Sequence, residues 1–250
     1  MFLVRALYFF VSIFRVFLIS LDMLFVGGMY ILIAFVFGYK AASYSGMPWL
    51  WGKLFCFFTT TRVIVEGKEN IPKSKGVVFL FSHSSYMDIP ALSGSTTGLL
   101  NFAASEFILK IPVMGTIMRV AKTIVITKDR EESIKQYKLA EERLKEGDRF
   151  MVSPEGGRSN GEEVLPFKSG PFIFAMNAHA TLVPVVVYGA HKTWPKGDLL
   201  PNMRRFFNTI NVEYLPPVST EDFSPENRKL KAEEIRQDMI KVFEKHQNRR

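Results

Sequence analysis

Cysteine, tryptophan and histidine are scarce, with one, three and four residues among 250. A lone cysteine excludes an intramolecular disulfide and a Cys-rich zinc site. Cys56 lies between Phe55 and Phe57 and reads as a small buried hydrophobe, not as a nucleophile. There is no internal repeat and no Gly/Ser linker. With 48% hydrophobic and 22% charged residues, the composition is not that of a disordered or collagenous chain. No run of Lys and Arg alternates with aromatics, which argues against an RNA-binding surface and against nucleic acid as a partner. A chain of 28.6 kDa is long enough for one α/β domain with an accessory segment, and too short for two large domains.

Charge is absent over the 17 residues from Met23 to Tyr39. As a helix they would extend roughly 25 Å, slightly short of a hydrocarbon core of about 30 Å. Upstream, Ala6 to Leu21 is nearly as apolar but is interrupted by Arg15, which could snorkel to an interface. The pattern predicts two adjacent apolar helices bent near Asp22 or Gly27-Gly28, forming a re-entrant pair with both termini on the cytosolic side. Ala41-Ala42-Ser43 offers small residues for signal cleavage, but the apolar body is too long for a signal peptide. Tyr39, Tyr44, Trp49 and Trp51 follow where interfacial aromatics are expected. The net charge of +8 divides into +3 over residues 1–60 and +5 beyond, so basicity is shared, as suits a surface facing anionic lipid. The expected location is the cell inner membrane, with the catalytic domain on its cytoplasmic face.

From Thr61 the pattern alternates between strands and helices. Strands are expected at Val63–Val65, Val77–Phe81, Asn101–Ala104, Thr123–Thr127, Arg149–Val152, Leu182–Tyr188 and Thr209–Leu215. Ile134, Tyr137 and Leu144 recur at helical spacing over Glu131–Glu146 before Gly147. Ser224-Pro225 is expected to open a terminal helix with a stripe of Leu230, Ile235, Met239 and Phe243. The fold class is therefore α/β, a sheet flanked by helices, preceded by an N-terminal membrane-attached helical pair. Residues 1–60 form the anchor and 61–250 the α/β domain.

Two constellations interrupt this scaffold. The second strand runs into Ser82-His83-Ser84-Ser85-Tyr86-Met87-Asp88. Five residues apart, His83 and Asp88 would not share a helix face, being about 140° apart. They meet if His83 sits in the loop and Asp88 in the first turn beyond it. Asp88 then fixes the imidazole tautomer and leaves the other nitrogen free as a base. Alone, the pair better fits a histidine that merely satisfies a loop hydrogen bond. Another strand runs into Ser153-Pro154-Glu155-Gly156-Gly157-Arg158-Ser159-Asn160-Gly161, where Arg158 offers a fork of donors suited to phosphate and the glycines permit a tight backbone. Alone, this stretch equally fits an exposed turn.

Together and in this order the residues resemble the glycerolipid acyltransferase family, in particular the 1-acylglycerol-3-phosphate (lysophosphatidic acid) acyltransferases. His83 and Asp88 match its first motif, and Pro154, Glu155, Gly156, Arg158 and Ser159 match its Phe-Pro-Glu-Gly-Thr-Arg-Ser motif. Glu106, Pro112 and Gly115 resemble the stretch before the second motif, which falls on Lys122–Lys128. Phe167-Lys168-Ser169-Gly170 and Val183-Pro184-Val185 resemble the segment ending in the fourth. The likeness runs from about Thr61 to Tyr214. Departures are Lys122, Val125 and Lys128 in the second motif, Ala104 where the family has Lys, and Ser153 and Gly157 in the third.

The resemblance implies an acyltransferase that moves a fatty acyl group from a thioester, acyl-CoA or acyl-acyl carrier protein, to the sn-2 hydroxyl of lysophosphatidic acid, giving phosphatidic acid. His83 would take the hydroxyl proton and Asp88 would hold the imidazole. Arg158, helped by Lys128 or Arg130, would bind the acceptor phosphate, Glu155 would position a hydroxyl, and Gly156 would line the site. No bound cofactor or metal is implied. The alternatives are another lysolipid acceptor, or a membrane-anchored serine hydrolase, since Gly157-Arg158-Ser159-Asn160-Gly161 matches a nucleophile elbow with His179, His191 and His246 downstream.

Overall fold

The computed structural model describes residues 2–73, 76–96, 101–202 and 205–249. Three helices come first, α1 (Phe2–Phe37), α2 (Tyr39–Tyr44) and α3 (Met47–Phe58). Strands β1 (Thr61–Glu66) and β2 (Val77–Phe81) lead to α4 (Asp88–Ser95), β3 (Asn101–Ser105), α5 (Met114–Val120) and β4 (Ile124–Ile126). Then follow α6 (Arg130–Lys145), β5 (Arg149–Val152), α7 (Gly170–Asn177), β6 (Thr181–Tyr188), α8 (Ala190–Thr193), β7 (Asn208–Tyr214) and α9 (Arg228–Asn248). Each strand falls within a residue or two of its expected place.

The seven strands form one sheet in the order β1-β7-β6-β2-β5-β3-β4. Five run parallel, while β7 is antiparallel to β6 and parallel to β1. The central β2 is buried on both faces, as its unbroken Val-Val-Phe-Leu-Phe run requires. Val78 and Leu80 face a layer of α6, α7 and α9, packing with Leu144, Phe172, Phe174, Ile235, Met239 and Phe243. Val77, Phe79 and Phe81 face α3 and α4 through Phe55, Cys56, Ala91 and Leu92. Cys56 is thus a core residue, and burial pushes its thiol up to about 12. The terminal helix begins at Arg228, later than expected: Ser224 Oγ accepts from the Glu226 and Asn227 amides and caps a turn instead, and Leu230 faces outward.

The expected bend in the apolar segment is absent. Helix α1 runs unbroken for 36 residues, through Asp22 and Gly27-Gly28. Each mid-helix glycine costs about 1 kcal/mol relative to alanine, much less than leaving helical N–H and C=O groups unpaired in an apolar setting. Gly27 also serves packing, because a Cβ there would lie 2.7 Å from Ile117 Cδ1 on α5. Arg15 does not snorkel. Its Nη2 donates to Thr60 Oγ1 (2.8 Å) and to the Phe206 carbonyl (3.2 Å), and its guanidinium lies 4.4 Å from the Phe206 ring centre. Ser12, Arg15, Asp22, Val26, Tyr30 and Ala34 form the buried stripe of α1, whereas the opposite side presents Phe10, Phe14, Phe25 (76% exposed) and Phe35 (88% exposed). The apolar face therefore points away from the protein, as in a membrane-attached helix. The partner of α1 in the helical pair is α3, beyond the short α2. Tyr39 is also diverted from an interfacial role, its hydroxyl donating to Asp148 Oδ2 at 3.0 Å.

Helix α4, which carries Asp88, is seated by a glycine contact. A Cβ on Gly52 of α3 would lie 2.5 Å from the Pro90 carbonyl oxygen and collide with the Gly94 backbone. Gly52→Ala must push α3 off α4, and overpacking of this kind costs about 1–3 kcal/mol. The melting temperature should fall by roughly 2–4 °C per kcal/mol lost, as measured by thermal unfolding in detergent. A change smaller than that of Gly28→Ala, where added atoms meet nothing within 4 Å, would refute the close approach.

Candidate active site

Strands β2 and β5 are parallel neighbours, with Leu80 opposite Val152, so the two loops of interest leave the same edge of the sheet. That edge is the carboxyl end of the parallel strands, where open α/β sheets place ligands. His83 leaves β2 in extended backbone and Asp88 opens α4, as the five-residue spacing requires.

Asp88 is fully buried. Its Oδ2 takes three donors: His83 Nδ1 at 2.8 Å, Ser84 N at 2.8 Å and Ser85 N at 2.9 Å. The loop is wrapped around the carboxylate, which forces Nδ1 to be the protonated nitrogen or the imidazole to be cationic. No described hydrogen bond falls on Nε2, and the His83 side chain keeps 21% of its surface exposed. A nitrogen oriented by a buried anion and open on its other side is the geometry of a general base.

Glu155 joins the loops. Its Oε1 accepts from the His83 amide (2.8 Å) and its Oε2 from the Leu165 amide (3.0 Å). The Ser159 amide donates in turn to the His83 carbonyl at 2.8 Å. Burial raises the Glu155 carboxyl to about 7, against the two amide bonds that favour its ionised form. With both oxygens engaged by amides, it braces the loop that carries His83.

Arg158 lies 3.9 Å from the Tyr86 ring centre, and its Nη1 is buried without a partner. Such a donor is unfavourable until an anion reaches it. Gly156 takes φ of +69°, and the Lys168 side chain crosses the space a Cβ would fill, with Nζ 2.6 Å from that point. Arg158 and Gly156 therefore join His83 and Asp88, with Lys168 and Tyr86 as additions. Lys128 and Arg130 are not brought in. Ser105 pairs with Ile126, and Met151 with both Phe79 and Phe102, so the end of β4 lies three strand spacings from β2, roughly 14 Å.

The nucleophile elbow is overturned. Gly157–Gly161 runs from no strand directly into a helix, the next helix opening only at Gly170. Ser159 Oγ is occupied in accepting from the Gly161 amide. His191 packs on the Gly161 backbone, and burial, then Lys192, lower its imidazole to about 4. His246 pairs with Glu213 at 2.8 Å and stacks on Tyr188. Glu66, Glu213 and His246 could converge on a cation, but Lys245 and Arg249 already hold both carboxylates.

A family model described as "Acyltransferase" matches residues 62–188. The human 1-acyl-sn-glycerol-3-phosphate acyltransferase alpha is 30% identical over 185 residues, covering 73% of this chain and 64% of that protein. Human lysophosphatidylcholine acyltransferase 1 is 25% identical over 196 residues, covering 73% of this chain and 35% of that one. The chain thus spans less than two thirds of the length of these curated relatives. The crystal structure of the 1-acyl-sn-glycerophosphate (LPA) acyltransferase PlsC from Thermotoga maritima superposes with a TM-score of 0.83 at 25% identity, covering 98% of this chain and 99% of that one.

Glu155 generates a pH signature. Between its ordinary 4.5 and about 7, the folded protein keeps a proton that the unfolded chain has released. Stability therefore falls as pH rises through that window, by about 3 kcal/mol in all, and is flat on either side. Glu155→Gln should remove this slope from the pH dependence of thermal unfolding. It should also lower stability by about 1–3 kcal/mol, because its NH₂ must face either the His83 or the Leu165 amide. An unchanged slope would show that another group sets it.

Proposed function

The chain belongs to the acyltransferase family, and on that premise we propose that it transfers a fatty acyl group from an acyl thioester to the sn-2 hydroxyl of lysophosphatidic acid, producing phosphatidic acid for phospholipid biosynthesis. The observation that carries the reading is the 2.8 Å contact between His83 Nδ1 and the buried Asp88 carboxylate, beside an unpaired Arg158 donor. His83 Nε2 takes the proton of the acceptor hydroxyl as its oxygen attacks the thioester carbonyl. Asp88 stabilises the imidazolium. When the tetrahedral intermediate collapses, the C–S bond breaks and the imidazolium returns its proton to the departing thiolate. Arg158, held flat against Tyr86, takes the acceptor phosphate through its free fork. The donor is an acyl-CoA or an acyl-acyl carrier protein. His83→Ala should lower turnover about 10²- to 10⁴-fold while leaving the unfolding transition and membrane binding in place. Activity within a few-fold of the unaltered protein, measured with purified enzyme, lysophosphatidic acid and each thioester, would sink the mechanism.

The domain division at residue 60 and the inner-membrane, cytoplasmic-face location belong to the same proposal. The buried stripe of α1 extends from Ser12 to Ala34, about 34 Å of helix held against the rest of the chain. A helix bound lengthwise in this way favours embedding in one leaflet over crossing. The proposal thus replaces the re-entrant hairpin by a single helix lying along the membrane surface. Changing Phe10, Phe14 and Phe25 together to Gln removes three exposed apolar side chains, each contributing about 1.5–3 kcal/mol when buried in lipid. Partitioning onto vesicles should weaken by about 10²-fold or more, and activity on long-chain lysolipid should drop while that on a short-chain soluble acceptor is kept. Retained sedimentation with vesicles would place the anchor elsewhere.

A further inference from the structure

A second cavity opens on the same edge of the sheet. It encloses about 640 Å³ between the starts of β1 and β7, the end of β6, α8 and the last turn of α9. That volume is in the range of small-molecule sites. Arg62, Lys192, Arg205 and Arg249 line it, and no carboxylate does. Arg249 is matched by Glu66 at 2.9 Å, whereas Arg62, Lys192 and Arg205 form no ion pair among the described residues. Phe207 supplies exposed aromatic wall, while the Tyr188 ring is stacked on His246 and approached by Lys192. Asn208 also lines the cavity, is 7% exposed, and has neither its amide oxygen nor its amide nitrogen paired. A buried amide left with a free donor and a free acceptor is costly unless a ligand or water answers both.

The cavity is joined to the candidate active site by a single turn of helix. Lys192 of α8 faces the cavity, while Trp194, at the end of the same turn, accepts from Ser85 Oγ at 2.8 Å and stacks edge-on against Tyr86. Between them His191 lies against Gly161, close enough for its imidazole to feel Asp88 on one side and Arg205 on the other. In the sheet, β7 lies two strand spacings from β2, roughly 10 Å.

We propose that this cavity binds the phosphate-bearing adenine nucleotide of a coenzyme A-type donor, so that the acyl thioester at the other end of the same molecule reaches His83. The assignment rests on the acyl-thioester reading above and goes beyond it in choosing the donor. Arg62 and Arg205, with Lys192 beside them on the Tyr188 hydroxyl at 3.3 Å, suit several phosphate oxygens. The aromatic wall suits a base, and an amide with one donor and one acceptor free matches the edge of adenine, which presents both. A lipid headgroup offers the phosphate but neither the flat ring nor the paired edge. The acidic surface of a carrier protein would not enter a concave pocket of this size.

The test uses the full chain in neutral detergent micelles and adenosine 3′,5′-bisphosphate, followed by calorimetric titration. Arg62 and Arg205 are exposed, so the double variant Arg62→Ala/Arg205→Ala should fold, which its unfolding transition verifies. Nucleotide affinity should fall about 10- to 100-fold in the variant. In acyl transfer, KM for acyl-CoA should rise by a similar factor, with kcat and KM for the lysolipid unchanged. Failure of the nucleotide to bind, or an unaltered KM for acyl-CoA in the variant, overturns the assignment. Loss of binding to phosphatidylglycerol vesicles with nucleotide affinity intact would reassign the cavity to a lipid headgroup and overturn it equally. Nucleotide binding that depends on these arginines in a protein transferring no acyl group from any thioester would uphold the cavity and sink the acyl-transfer reading, so the two failures are distinguishable.

Discussion

The site depends on one buried carboxylate. Glu155 accepts from the amides of His83 and Leu165, joining loops that leave β2 and β5 and are 72 residues apart in the chain. The sheet brings these loops within reach, because β2 and β5 are parallel neighbours in register. It does not fix where His83 sits within its loop. That is done by the Glu155 bond to the His83 amide and by Asp88, which gathers Nδ1 and the next two amides onto one oxygen. Two acids thus hold the histidine, one by its backbone and one by its ring. Their environments differ: the Glu155 carboxyl is lifted toward neutrality by burial, while Asp88 takes three donors on one oxygen.

Helix α1 shows a comparable inversion of the usual pattern. A soluble amphipathic helix turns its apolar side inward, but α1 turns Ser12, Arg15 and Asp22 inward and its phenylalanines outward. The interior is the more polar of its two surroundings when the alternative is a bilayer. Arg15 Nη2 is bonded there to Thr60 and the Phe206 carbonyl. Phe206 stands at the approach to β7, so the anchor is clamped to the same sheet edge that carries the His83 and Arg158 loops. Membrane attachment and the reaction edge are thereby held in one rigid relation.

Much of this was legible in the sequence because the signals were local. Short β-branched or aromatic runs bounded by Gly and Pro mark β1 and β2, and the five-residue gap between His83 and Asp88 placed one in a loop and the other at a helix start. What escaped depended on neighbours far along the chain. Charge and paired glycines in the first forty residues suggested a bend, yet Gly27 is needed for Ile117 and Asp22 has a protein face to enter. Lys128 and Arg130 looked like phosphate ligands, but strand order, which no local pattern encodes, sets β4 three positions from β2. Lys168 lies over Gly156 only because its amide returns to the Pro154 carbonyl, and nothing in its own surroundings announces that. Ser159 matched a motif by letter while lacking the strand-to-helix turn that gives the motif its chemistry.

The departures from the family pattern bear on where the proposed acceptor phosphate would be held. Ala104 stands near the end of β3, where the resemblance calls for a lysine, and the exit of β3 therefore contributes no cation at that position. With Lys128 and Arg130 distant, positive charge near His83 comes from Arg158, from Lys168 across Gly156, and from Lys196, whose ammonium donates to the Arg158 carbonyl at 2.7 Å. These cations cluster on the loop after β5 and the segment after α8, not on the β3 side. Arg158 is the one among them with a buried unpaired nitrogen, and its guanidinium lies 3.9 Å from the Tyr86 ring centre. A lysine at position 104 would be a mobile point charge, whereas a stacked guanidinium is directional. On the proposed reading the substitution exchanges reach for orientation and would place the phosphate end of the site toward α8, the same turn of helix that separates it from the basic cavity beyond.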